Sequence, residues 1–173
     1  MIEPFYSKGL HFSCTRCSVC CRGDPGFVFL SKDDLRRLLK RLSLDFKQFF
    51  RKYCTLVDSG TGMALSLREN LAFDCIFWGD TGCSVYEDRP VQCSSYPFWS
   101  SILESRSSWE DEYVSCPGMG AGDHRSREYI EELMIARRGA GTIVLSYGVD
   151  PENSDEDTIL GRERIGSDPS DAV

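Results

Sequence analysis

Apolar residues recur with a helical period in three stretches of this chain, and elsewhere they cluster in short runs broken by turns. In the first stretch Leu35, Leu38, Leu39 and Leu42 follow at i, i+3, i+4 and i+7. Ser31 stands where a helix N-cap belongs, with Asp34 three residues on, so the pattern predicts a capped amphipathic helix packed on a core. A second helix is expected to begin near Ser43 or Asp45, with Phe46, Phe49, Phe50 and Tyr53 inward as packing aromatics. The third spans Arg127 to Arg138, with Tyr129, Ile130, Leu133 and Met134 inward and Gly139 as its stop.

The short runs predict strands. Phe5 to Phe12 reads as a strand leading into a cysteine-rich loop that ends at the turn Asp24-Pro25-Gly26. Phe27-Val28-Phe29-Leu30 reads as a buried strand. Met63 to Leu67 follows the turn Ser59-Gly60-Thr61-Gly62, and Leu71-Ala72-Phe73 is the expected pairing partner. Cys75 and Cys83 flank Gly79-Asp80-Thr81-Gly82, a knuckle presenting thiols at a tight turn. Pro90 suits the first turn of a short helix delivering Cys93. The aromatic run Tyr96-Pro97-Phe98-Trp99 reads as an extended shield for that region. Ser107 to Val114 is expected as a strand and Cys116 to Gly120 as a loop. Thr142 to Tyr147 fits either a strand or packed coil. From Asp150 the chain is polar and acidic without an apolar period, so 150–173 is expected as a disordered tail behind one domain over 1–149. The mixture predicts a small single α+β domain.

A chain of 173 residues is long enough to build a true core without cross-links. Its net charge of -7 argues against gripping a phosphate backbone, and Arg36, Arg37, Lys40 and Arg41 read as the solvated face of the first helix. No apolar run reaches the length of a membrane span. The start, Met1-Ile2-Glu3-Pro4-Phe5-Tyr6, has no basic region followed by an apolar stretch. A cytoplasmic location, where thiols stay reduced, is the expectation.

The nine cysteines change the picture: Cys14, Cys17, Cys20, Cys21, Cys54, Cys75, Cys83, Cys93 and Cys116. The first four fall within eight residues. Disulfides account for them poorly, because the count is odd, no export signal is visible, and bonding adjacent Cys20 and Cys21 strains the backbone. Burial as an inert thiol suits Cys54, beside Tyr53 and Leu56, but the N-terminal group is interleaved with Thr15, Arg16 and Ser18. Metal binding is the reading that remains. C-x2-C converges two sulfurs on one ion, and C-x2-C-x2-C wraps three around one centre, as bacterial ferredoxins do. Asp24-Pro25 stands where such a ferredoxin has its fourth Cys-Pro, and Cys116-Pro117 is a remote candidate for that role. Neighbouring side chains point apart, so Cys20 and Cys21 need not serve the same ion. The eight cysteines other than Cys54 make either two four-thiolate sites or one cluster with further thiols nearby.

These motifs carry a resemblance. Cys14-x2-Cys17-x2-Cys20-Cys21, Cys75, Cys83, Tyr86-Glu87-x-Arg89-Pro90-x2-Cys93, Tyr96-Pro97-Phe98 and Cys116-Pro117-Gly118-x-Gly120 resemble the cysteine-cluster family named for its CxxCxxCC motif, the YkgJ-like zinc- or iron-chelating domains. The family commonly has glycine where Ser18 stands and a basic residue where Ser94 stands. The resemblance implies a small α+β metal-binding domain. More distantly the motif is similar to that of flagellin lysine N-methylases, which implies an iron–sulfur centre.

The expected function is metal binding through Cys14, Cys17, Cys20, Cys21, Cys75, Cys83, Cys93 and Cys116, with an iron–sulfur cluster (4Fe–4S in type) or zinc as occupant and a structural, sensing or electron-relay role. The alternative is an enzyme, or subunit of one, for protein lysine N-methylation. A conventional methyltransferase would show a glycine-rich turn between strand and helix, and Gly118-x-Gly120-x-Gly122 is weak in that role. A thioredoxin-like thiol enzyme would place C-x2-C after a strand in a βαβ unit. His11, three residues before the cluster, reads as a surface or satisfied histidine, with a ligand or ligand-supporting role as the alternative, and His124 is expected near a helix start. Asp24 and Asp74 read as acceptors for loop hydrogen bonds, and Glu87 with Arg89 as an ion pair bracing Cys93.

Overall fold

A computed structural model describes residues 3–161. Two hydrophobic cores organise the chain, with short elements around each.

The first core is built from α1 (Lys32–Leu42), α2 (Phe46–Tyr53) and a three-stranded sheet. Both helices start on the cap their sequences carry. Ser31 and Asp34 form a reciprocal capping box, as do Asp45 and Gln48. Such a cap contributes about 0.5–2 kcal/mol. Leu35, Leu38 and Leu39 are buried on α1, and Phe46, Phe49 and Phe50 on α2. Each such side chain contributes roughly 1.5–3 kcal/mol by leaving water.

The sheet runs β2 (Cys54–Asp58), β3 (Met63–Leu67), β7 (Val144–Leu145), antiparallel throughout. The partner of β3 is therefore β2 rather than Leu71-Ala72-Phe73. Asn70 takes the N–H groups of Ala72 and Asp74 on its side-chain oxygen, which curls that segment into a turn and leaves Leu71 in solvent. The expected strand at Phe27 to Leu30 reduces to one bridge, Phe29 to Ser66, although Leu30 is fully buried and bonded to Leu65 and Ile143.

The second core gathers Phe12, Phe98, Ile102, Leu103, Trp109 and Ile130, among others. A ribbon of β1 (Leu10–Phe12) and β6 (Met119–Arg125) covers it, with a bulge between His11 and Phe12. The strand before the cysteine loop is thus only its last three residues, and the loop after Cys116 runs into a strand. Residues Ser107 to Val114 lie not in a strand but in α4 (Arg106–Tyr113), capped by Ser105, with Trp109 as its buried residue. Helix α5 (Arg127–Ala140) is capped by Ser126 and buries Ile130. It runs through Gly139 and stops at Gly141, whose φ of 67° is the left-handed conformation suited to glycine.

The knuckle forms as expected from β4 (Trp78–Gly79) and β5 (Gly82–Cys83). Helix α3 (Val91–Ser94) carries Cys93, with Pro90 as its cap. The aromatic run 96–99 turns back on itself rather than extending, with Phe98 in the second core. Within the segment expected as a tail, residues up to Gly161 contain a 3-10 turn, Pro151–Asn153, and α6 (Glu156–Leu160). Ile159 and Leu160 are buried in the first core, and Arg51 pairs with Glu152 at 2.8 Å. Residues 162–173 lie outside the described part. Among the described residues no helix is long and apolar enough to cross a membrane.

Candidate metal centre

A cavity of about 400 Å³ opens between the two cores. Leu67, Phe77 and Val85 of the first core line one side, and Phe12, Cys116 and Tyr96 line the other. All eight cysteines singled out from the sequence face this cavity, and Cys54 does not. Cys54 is fully buried in the first core, where burial pushes its thiol well above the ordinary range.

Local structure explains how the thiols arrive. In the loop 14–21 both Arg16 and Ser18 take left-handed backbone, φ 56° and 65°, so the chain reverses between successive cysteines. The Ser18 conformation is one that glycine adopts at lower cost. Val19–Cys21 is a 3-10 turn that brings the Sγ atoms of Cys20 and Cys21 to 3.7 Å. The neighbouring thiols therefore converge, contrary to the expectation that they point apart. A tetrahedron with metal–sulfur bonds of about 2.3 Å has an edge of roughly 3.8 Å.

The backbone of this loop is tied to the knuckle, because Cys75 N–H donates to the Cys21 carbonyl at 2.7 Å. Helix α3 is tied to α1 through buried Asp34. Its Oδ1 accepts from Val91 N–H at 2.9 Å and from Arg37 at 2.6 Å, while Oδ2 accepts from Ser31. Asp34 thus has two tasks, capping α1 and positioning Cys93, and only the first was legible from spacing. At the cavity's other side, Ser13 N–H donates to the Gly118 carbonyl at 3.2 Å. A Cβ on Gly118 would collide with the Ser13 carbonyl, so glycine is needed where these walls touch.

Charge favours thiolate chemistry unevenly. Cys20 is held down at about 7, chiefly by the hydrogen bond from Cys21, with Arg89 adding to it; the same bond and burial push Cys21 up. Burial raises Cys75, Cys83, Cys93 and Cys116. Arg89 opposes that rise at Cys83 and Cys93. It lies over the Tyr86 ring at 3.9 Å and donates to the Tyr86 carbonyl at 2.5 Å. Arg16 lies over the same ring at 4.1 Å and pairs with Glu87 at 3.4 Å. Glu87 is therefore the partner of Arg16, not of Arg89. Tyr86 and Tyr96 are within hydrogen-bond reach of Cys14 and Cys116 respectively.

Other candidates sit apart. His11 and His124 face each other across the ribbon, rings 5.3 Å apart, each bonded to a backbone carbonyl and neither lining the cavity. Asp74 holds Asn70. Asp24 lines a neighbouring cavity of about 430 Å³, which also touches Cys20, Cys21, Cys75 and Cys93. Among the described residues, no three His, Cys, Asp or Glu side chains are placed to hold a single ion. The thiols surround a volume rather than a point.

Soft sulfurs gathered around one partly buried cavity are the chemistry expected of a metal-chelating domain. The model of the CxxCxxCC family, described as "Putative zinc- or iron-chelating domain", matches residues 13–117, well over half of the chain, and the protein belongs to this family. No solved structure matches the chain.

Proposed function

We propose that this protein binds a polynuclear iron–sulfur group through Cys14, Cys17, Cys20, Cys21, Cys75, Cys83, Cys93 and Cys116. One observation carries the reading: these eight thiols line a single cavity and the ninth is excluded from it. The donor set fits the group. Thiolates are the ligands of iron–sulfur clusters, and the ligands of a multi-iron cluster spread over a volume. A lone zinc ion needs four sulfurs close together, and among the described residues no three such side chains are placed to hold one ion.

The chain's own residues prepare the site. Arg89 and the Tyr86 stack place positive charge against the thiols, which favours the deprotonated form a metal requires. Tyr96 and Phe12 cover the cavity on the second-core side and limit water access. When bound, a cluster supplies one-electron redox chemistry, and the cytoplasm is the compartment that keeps its ligands reduced.

Protein purified without oxygen should be brown and contain iron with acid-labile sulfide. Cys17→Ser and Cys20→Ser should lose iron, while Cys54→Ser keeps it. Colourless protein containing only zinc would replace the cluster by a zinc site. Folded, metal-free protein that takes up neither metal would refute metal binding.

A further inference from the structure

A third cavity, of about 260 Å³, is lined by residues of α3 and α5 and by no cysteine. Its charge sets it apart. Arg137 and Arg138 line it, and no Asp or Glu does. The thiol cavity carries Asp123, and its neighbour carries Asp24, Glu69 and Glu112. In a chain with 27 Asp and Glu against 20 Lys and Arg, two cations without an acid are a local excess. Arg16, Arg37, Arg51 and Arg127 each meet a carboxylate, but among the described residues Arg137 and Arg138 meet none.

The C-terminal end of a helix favours positive charge, which accounts for an arginine left in water at either position. It does not account for where Arg137 lies. Its guanidinium sits over the Trp99 ring at 4.3 Å, half-buried, and that burial pulls it below its ordinary range. The ring is itself held, because Trp99 Nε1 donates to the Gln92 carbonyl at 3.0 Å. Arg138 donates from Nε to the Met134 carbonyl at 3.3 Å, and its terminal nitrogens have no partner among the described residues. The hydroxyls of Ser100 and Thr142, also in the lining, have none either. Phe29, Phe98 and Met134 supply an apolar surface beside these donors. A half-buried guanidinium that no carboxylate neutralises gains most from an oxyanion, which its planar fork can take with two parallel hydrogen bonds. A bare inorganic anion would leave the apolar lining against water.

We infer that this cavity binds a small organic anion: a carboxylate or phosphate head held by Arg137 and Arg138, with a short apolar or aromatic body against Phe29 and Met134. Ser100 and Thr142 donate to the head from their hydroxyls. The site stands or falls separately from the metal centre, since the two share no thiol.

Isothermal titration calorimetry on the full chain, purified without oxygen, tests this with benzoate, phenyl phosphate, inorganic phosphate and benzylamine. Benzoate or phenyl phosphate should bind once per chain, and the tighter of the two identifies the head. Inorganic phosphate should bind at least about tenfold more weakly than phenyl phosphate, and benzylamine should not bind. Arg137→Gln and Arg138→Gln should each weaken the organic anion by about tenfold or more with circular dichroism unchanged. Arg138 is exposed, so its variant keeps the test open even if Arg137→Gln misfolds. No saturable binding of either organic anion, benzylamine binding as well as they do, inorganic phosphate matching phenyl phosphate, or unchanged affinity in the folded arginine variants overturns the assignment.

Discussion

The two cores differ in what encloses them. Leu30, Leu35, Leu38, Phe49, Cys54 and Leu65 of the first core have no solvent exposure, and helices and a three-stranded sheet wall them in. The second core buries Phe98, Met119 and Ile130 as completely, but its roof is a bulged two-stranded ribbon and one of its walls is the thiol cavity. A two-stranded ribbon is marginal by itself. Both cores border the cavity, but the first has more secondary structure of its own around it, so the second is the one expected to gain more from an occupant. Cys54 and Cys116 show the contrast in one residue type. Both are buried, yet Cys54 packs as an apolar atom and Cys116 faces seven other thiols.

The largest effects test that contrast directly. Phe49→Ala should cost about 3–5 kcal/mol in urea unfolding, equally with metal bound and after chelation. Phe98→Ala should cost a similar amount with metal bound and much less after chelation, when hydrogen exchange over residues 119–134 should already be fast. Equal costs in both states would break the comparison. Asp34→Ala comes next. It leaves the buried N–H of Ser31 and the half-buried N–H of Val91 without their acceptor, at about 3 kcal/mol in denaturant unfolding, and should lower metal content because α3 loses its anchor.

Cys54→Ala should cost about 1 kcal/mol and leave the metal count unchanged. Its pH signature has a definite sign. Burial raises the Cys54 thiol above its ordinary value of 9.0, so the folded state keeps a proton that the unfolded state loses. The associated stability is present below pH 9 and is lost as pH rises above it, by about 1 kcal/mol at pH 10. Metal-free protein should therefore show a lower urea midpoint at pH 10 than at pH 8, and Cys54→Ala should lose less. The smallest effect is at Ser18. Relieving its left-handed backbone with Ser18→Gly should stabilise the loop by under about 1 kcal/mol, read as a small rise in melting temperature of the loaded protein.

What the sequence by itself determined was local or chemical. Ser31 with Asp34 caps α1, a four-residue turn between Cys75 and Cys83 makes the knuckle, and leucines and aromatics at helical spacing mark buried faces. The candidate ligand set was legible as well, since eight crowded thiols among polar residues have few other uses, and Cys54 among apolar neighbours has an obvious one. The tertiary structure decided what depends on a distant partner. Residues 54–58 became the partner of β3 because they lie across from it, while Asn70 withdrew 71–73 into a turn. Ser107 to Val114 became a helix because Ser105 caps it and one tryptophan suffices to bury it. Ile159 and Leu160 docked although their neighbours are acidic, because the first core offered an apolar face. The convergence of Cys20 with Cys21, and the gathering of eight thiols around one cavity, arise from backbone turns and long-range contacts that spacing along a chain does not encode.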